Sequence, residues 1–144
     1  METILTILHI DDDPDTRLLL QELLSQAGPA ASEPATIRFL EAGGVEEALI
    51  RYRESQPDVI LLDHRLGEDS GLDLLPSVRR AWSCPVWLVT GFSPETLEER
   101  AAKAGSAGII HKDELLAGAA GLRSRLLACC APAAGNGSNL PIER

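Results

Sequence analysis

Three apolar runs in this chain each stop at a residue that apolar runs seldom carry. Ile4 to Ile10 stops at Asp11-Asp12-Asp13, Val59 to Leu62 stops at Asp63, and Ala107 to His111 stops at Lys112. If these runs are parallel strands of one sheet, the three points gather along its carboxyl edge, where open α/β sheets bind ligands. Carboxylates crowded together repel one another unless a cation sits among them, and carboxylate oxygens with few other donors suit Mg2+. A lysine at the rim adds a point charge for a second anion, for which phosphate is the best match. The pattern implies a phosphoryl-transfer site.

Strand and helix signals alternate along the whole chain. Asp13-Pro14 is a favoured helix entry, with an acidic cap and a proline in the first helical position. That helix is expected to turn Leu18, Leu19, Leu23 and Leu24 toward a core and to stop at Gly28. Pro29 to Pro34 reads as a loop, and Thr36 to Leu40 as the second strand. Val45, Ala48, Leu49 and Tyr52 recur at helical spacing, and Pro57 ends that helix before the third strand. A glycine-bearing loop with Gly67 and Gly71 leads to a helix over Leu72 to Trp82, with Pro76 inside it as a source of a kink. Pro85 to Thr90 is the fourth strand. Ser93-Pro94-Glu95 then starts a helix with a thin apolar stripe of Leu97, Ala101 and Ala104. After the fifth strand, a last helix from Glu114 to Cys129 is expected to bury Leu115, Leu122 and Leu126.

Near-continuous apolar strands mark a parallel sheet covered on both faces. The expected fold is therefore α/β: a doubly wound, flavodoxin-like sheet of five parallel strands in the order 2-1-3-4-5, flanked by five helices. That order sets the first and third strands side by side, so Asp11, Asp12 and Asp63 meet at the switch point. With 144 residues the chain holds one domain, over 1–130, while 131–144 is small, polar and proline-bearing, as a linker or disordered tail is.

Composition removes several function classes. A formal charge of −9 argues against nucleic acid or an anionic membrane as a direct partner, because both need basic surface. No apolar stretch has the length of a membrane span, so the expected location is the cytoplasm. Cys84, Cys129 and Cys130 lack the spacing of a disulfide framework or a metal knuckle, which agrees with that location.

Two rival readings compete for the acidic cluster. Asp11, Asp13, Asp15 and Glu22 have the spacing of a calcium-binding EF-hand loop, but a strand precedes them and Leu18 to Leu24 already read as helix. In an aspartate-nucleophile phosphatase, Asp11 would attack and Asp13 would act as the acid; against this, Asp13 is placed to cap a helix and no cap domain is visible. Turn and cap roles alone explain Asp13 and Asp15, but not Asp11, Asp12 and Asp63 together with a rim lysine.

Five segments in order resemble the receiver domain of two-component response regulators. They are Ile10 to Pro14; Pro57 to Asp63; Gly71, eight residues beyond Asp63; Val89-Thr90-Gly91; and Ala104 to Gly108 leading to Lys112. The resemblance implies that Asp63 accepts a phosphoryl group from a sensor histidine kinase or phosphotransfer protein in a Mg2+-dependent reaction. It implies that Asp12 binds the metal directly, that Asp11 assists, and that Asp63 and the main-chain carbonyl of Arg65 complete the protein ligands. Thr90 and Lys112 then hold the phosphoryl oxygens. Such a domain is a signalling device with intrinsic autodephosphorylation. Its output lies on a downstream effector, an attached domain or a second copy of the chain.

The chain departs from that family pattern at several points. Asp113 stands where most receivers have proline, so a trans peptide is expected there. Ile109 replaces the aromatic switch residue of the last strand. The Asp63-to-Leu66 loop, Thr90-Gly91 and Lys112-Asp113-Glu114 resemble those of receivers attached to, or working with, hybrid histidine kinases or cyclic-dinucleotide enzymes. His9, His64 and His111 lie near strand ends without ligand spacing, so packing or hydrogen-bonded roles are expected of them. Trp82 and Trp87 are expected to fill apolar sites.

Overall fold

The structure, a computed structural model, describes residues 3–26, 35–66, 69–91, 95–113 and 126. In chain order these form β1 (Thr3–Ile10), α1 (Pro14–Gln26), β2 (Ala35–Ala42), α2 (Val45–Tyr52), β3 (Val59–Asp63), β4 (Arg65–Leu66), β5 (Asp69–Ser70), α3 (Gly71–Ala81), β6 (Val86–Thr90), α4 (Glu95–Lys103) and β7 (Gly108–His111). The main sheet has five strands in the order β2-β1-β3-β6-β7, every neighbouring pair parallel. Counting those strands alone, this is the expected 2-1-3-4-5. Its register pairs Ile10 with Leu62, Asp63 with Val89, and Thr90 with His111, which brings the carboxyl ends of four strands to one edge.

Burial on both faces explains the uninterrupted apolar strands. Every residue of β3 and β6 is buried. On one face Leu8, Ile10, Ile60, Leu62 and Leu88 meet Ala48 of α2, Leu75 and Val78 of α3, and Leu97 and Ala101 of α4. On the other, Leu5, Ile7, Val59, Leu61, Val89 and Ile110 meet Leu20 and Leu24 of α1, together with Leu126. Each such leucine or isoleucine contributes roughly 2 kcal/mol by leaving water.

Local chemistry sets the helix starts. Asp13 accepts from Asp15 N–H at 3.0 Å and from the Thr16 hydroxyl at 2.8 Å, so it caps α1 as expected. Ser70 accepts from the N–H groups of Leu72 and Asp73 and caps α3, which carries Pro76 within it. Among the described residues no peptide is cis, so the Lys112–Asp113 bond is trans.

Several expectations need correction. Leu18 and Leu19 are 58% and 44% exposed; the buried stripe of α1 is Leu20 and Leu24, with Leu23 partly covered. In a helix so rich in leucine, docking rather than composition picks the phase. β2 is longer than Thr36–Leu40 at both ends. The expected glycine loop contains a two-residue antiparallel ladder, Arg65 with Ser70 and Leu66 with Asp69, and Gly71 is the first residue of α3. Trp82 and Trp87 are buried, as expected, and the Trp82 indole donates to the Tyr52 carbonyl at 3.1 Å. The loop Pro29 to Pro34, Gly28, Gly67, Ser93-Pro94, the Cys129-Cys130 pair and the tail from 131 lie outside the described residues. So does the last helix, save Leu126, which is helical and buried.

Candidate functional site

The carboxyl edge gathers most of the residues singled out in the sequence. Asp11 and Asp12 follow the last residue of β1, Asp63 ends β3, Thr90 ends β6, and Lys112 follows β7. Asp11, Asp12 and Asp63 each offer a carboxylate oxygen, and these oxygens lie within 4.8 Å of one another. Asp11 and Asp63 are buried while Asp12 is exposed, so the pocket opens to water on one side. Lys112 Nζ stands 3.3 Å from Asp63 Oδ1. Thr90, 3% exposed, is one residue beyond Val89, the register partner of Asp63.

Electrostatics mark the cluster as short of positive charge. Burial pushes the Asp11 carboxyl up to about 6, helped by Asp63 and Asp12 and opposed by the Asp13 N–H and Lys112. Burial also raises Asp63, while Lys112 and the Arg65 main-chain N–H hold it down. Two buried carboxylates whose charge is disfavoured beside a third, with one lysine between them, form an oxygen-only donor set. Such a set fits a divalent cation.

The Arg65 main-chain N–H donates to the Asp63 carboxylate. Its side chain is exposed. Asp13, the acid of the phosphatase reading, has both carboxylate oxygens engaged in capping α1, and its carboxyl is held below the usual range by Thr16 and Asp15. The EF-hand reading fails because α1 already begins at Pro14.

Sequence reasoning missed Arg17 and Glu41. Arg17 donates to the Asp11 carbonyl through a guanidinium nitrogen and pairs with Glu41 at 3.0 Å, tying α1 to the ends of β1 and β2. The arginine lies four residues beyond the helix cap, so a side chain reaching back toward the acidic loop was the available signal. His9 is wholly buried, and burial pushes its imidazole down to about 4, with Arg17 adding to the shift. Among the described residues, neither of its ring nitrogens has a hydrogen-bond partner.

The profile of the response regulator receiver domain matches residues 7–118. This chain belongs to that family. As a receiver it works in two-component signal transduction. It is similar to the protein-glutamate methylesterase/protein-glutamine glutaminase of Agrobacterium fabrum, 28% identical over 76% of this chain and 28% of the relative. The chain thus spans under a third of that relative. It is also similar to the chemotaxis protein CheY of Thermotoga maritima, 23% identical over 74% of this chain and 83% of the relative. Among solved structures, a response regulator of Burkholderia pseudomallei superposes with a TM-score of 0.62 at 24% identity, covering 86% of this chain and 71% of that one. Its crystals contain a phosphorylated aspartic acid, a calcium ion and citrate. No described helix is long and apolar enough to cross a membrane.

Proposed function

We propose that this receiver takes a phosphoryl group onto Asp63 from a phosphohistidine of a sensor kinase or phosphotransfer protein, with Mg2+ held by Asp11, Asp12, Asp63 and the Arg65 carbonyl. The observation that carries the reading is the buried Asp63 carboxylate, 3.3 Å from Lys112 and within 4.8 Å of two further carboxylates. Phosphoryl transfer needs alignment and charge neutralisation more than covalent machinery. When bound, Mg2+ supplies the positive charge that offsets the carboxylates and the incoming phosphoryl oxygens.

The chain's own groups do the rest. Asp63 supplies the attacking oxygen; the phosphorus–nitrogen bond of the donor breaks, and the freed imidazole keeps the electron pair and takes a proton. Lys112 keeps Asp63 ionised against its burial and afterwards pairs with a phosphoryl oxygen. The Thr90 hydroxyl donates to another. The Arg65 N–H holds the Asp63 carboxylate in line. In this reading the receiver spans 1–130 with a fifth helix around Leu126, works in the cytoplasm, and passes its state to an effector, an output domain or a second copy.

Incubation with Mg2+ and acetyl phosphate, followed by intact-mass measurement, tests the assignment. The expected result is a gain of one phosphoryl group by the wild type and none by a folded Asp63→Asn variant. Labelling of that variant sinks the choice of Asp63; turnover of a phosphomonoester points to a phosphatase instead. Inertness of the wild type leaves a binding module of the same fold.

A further inference from the structure

Behind the acidic pocket stands a polar side chain that the phosphoryl chemistry leaves unused. Along β1 alternate residues share a face, so His9 points with Leu5 and Ile7 toward the core that Leu20, Leu24 and Leu61 complete. Packing alone would put an aliphatic residue there. The imidazole is 0% exposed, and among the described residues neither nitrogen has a hydrogen-bond partner, which is seldom true of buried polar atoms. Its Nε2 lies 3.7 Å from Asp11 Oδ2. That oxygen is likewise buried and has no hydrogen-bond partner among the described residues, whereas Oδ1 accepts from the Asp13 N–H at 2.9 Å. Two orphaned atoms therefore face each other, one on a proposed metal ligand.

We propose that His9 is a positioning residue of the cation site, donating from Nε2–H to Asp11 Oδ2 and so setting the rotation of that carboxylate. The inference rests on the reading that Asp11, Asp12 and Asp63 hold a divalent cation. The present separation exceeds a good hydrogen bond by about 0.5 Å, which a small rotation of either side chain closes. A cation in front of Asp11 favours one rotation of the carboxylate, and a donor behind it makes that rotation the resting one. Partners of this kind orient metal ligands, and their removal weakens metal affinity by roughly 10- to 100-fold. The surroundings hold both parties still. Arg17 grips the Asp11 carbonyl and pairs with Glu41, and Glu41 is the register partner of His9 on β2.

Two measurements on the full chain decide the matter. Long-range 1H–15N spectra of the wild-type imidazoles, assigned by substituting His64 and His111, are recorded in chelator and at saturating Mg2+. The expected result is an Nε2–H tautomer for His9 whose Nε2 resonance moves with Mg2+. An Nδ1–H tautomer, or a resonance that ignores the metal, overturns the proposal even if no variant folds. Calorimetric Mg2+ titration then compares wild type, His9→Leu and His9→Gln. His9→Leu is expected to weaken binding about 10-fold or more, and His9→Gln, which retains a donor, to recover most of the loss. Wild-type affinity in His9→Leu, or equal losses in both variants, overturns the positioning role alone. A wild type that binds Mg2+ no better than an Asp12→Asn control overturns the cation reading and this inference with it.

Discussion

A Cβ on Gly71 would lie 2.3 Å from the main-chain oxygen of Asp63, closer than any real Cβ contact. The Gly71 N–H also donates to the His64 carbonyl at 2.7 Å, so the start of α3 folds back directly onto the end of β3. Gly71→Ala must therefore push backbone against backbone. The expected cost is about 1–3 kcal/mol, as for other overpacked sites, together with slower labelling of Asp63, whose carboxylate shares this corner. Urea denaturation beside acetyl phosphate labelling checks both. A variant as stable as wild type would show that the corner yields freely.

The pH dependence of metal-free stability contains two opposing terms. Asp11, raised to about 6 by burial, binds its proton more tightly folded than unfolded. Its contribution is full below about 4 and is lost as pH rises through about 6. Asp63 is raised too and acts in the same direction. His9 does the reverse. Its imidazole, lowered to about 4 by burial, is neutral in the fold while the unfolded ring charges, so its contribution grows as pH rises from about 4 to 6.5. The Asp11 and His9 slopes offset each other in the wild type. Removing the ring in His9→Leu should unmask the Asp11 term, a fall on the order of 3 kcal/mol between pH 4 and 7 in chelator. Urea unfolding at several pH values measures it; a flat profile in the variant would mean that Asp11 is not raised.

Asp11, Asp12, Asp63 and Lys112 were legible because they stand where apolar runs close, and parallel strands of similar length must bring such points to one edge; Thr90 was legible through the family resemblance. Gly71 was legible as a spacing, and the close approach to Asp63 gives its cause. The phase of α1 was not, since Leu18, Leu19, Leu20, Leu23 and Leu24 offer apolar surface around most of the helix. Nor was the neighbourhood of His9. Its relation to Glu41 depends on β1–β2 register and its relation to Arg17 on how α1 docks, and no local pattern encodes either. The expected packing or hydrogen-bonded role for His9 suits its buried place but does not name Asp11, the carboxylate it faces.

Arg65 combines a main-chain N–H on Asp63 with an exposed side chain two residues past the acceptor. A guanidinium there can shield the phosphoryl group or hinder the attacking water. Arg65→Ala should change the lifetime of the acyl phosphate severalfold while leaving stability within about 0.5 kcal/mol, as surface substitutions do. Decay of phosphorylated protein, followed by intact mass after the donor is removed, gives the rate. Equal decay in wild type and variant would remove Arg65 from the site's kinetics.

Output should run through α4. Of its described side chains, only Leu97 and Ala101 are buried, and Glu98, Glu99, Arg100, Ala102 and Lys103 are exposed. So small an apolar anchor makes α4 easy to shift, since local stability follows buried apolar contact. Its seam with β7 is a groove of about 350 Å³ lined by Glu98, Ala101, Ser106, Ile109 and His111 among others, with Glu98 and His111 3.7 Å apart across it. Ile109 is half-buried and offers no aromatic ring to swing, so movement is expected from the helix itself. Thr90 lies before α4 and Lys112 beyond β7, and both are expected to close on the phosphoryl group, pulling the seam from its two ends. Hydrogen exchange with and without beryllofluoride, which imitates the bound phosphoryl group, should therefore change protection across residues 91–113. Changes confined to the surroundings of Asp63 and Gly71, with α4 and β7 unaffected, would place the output elsewhere.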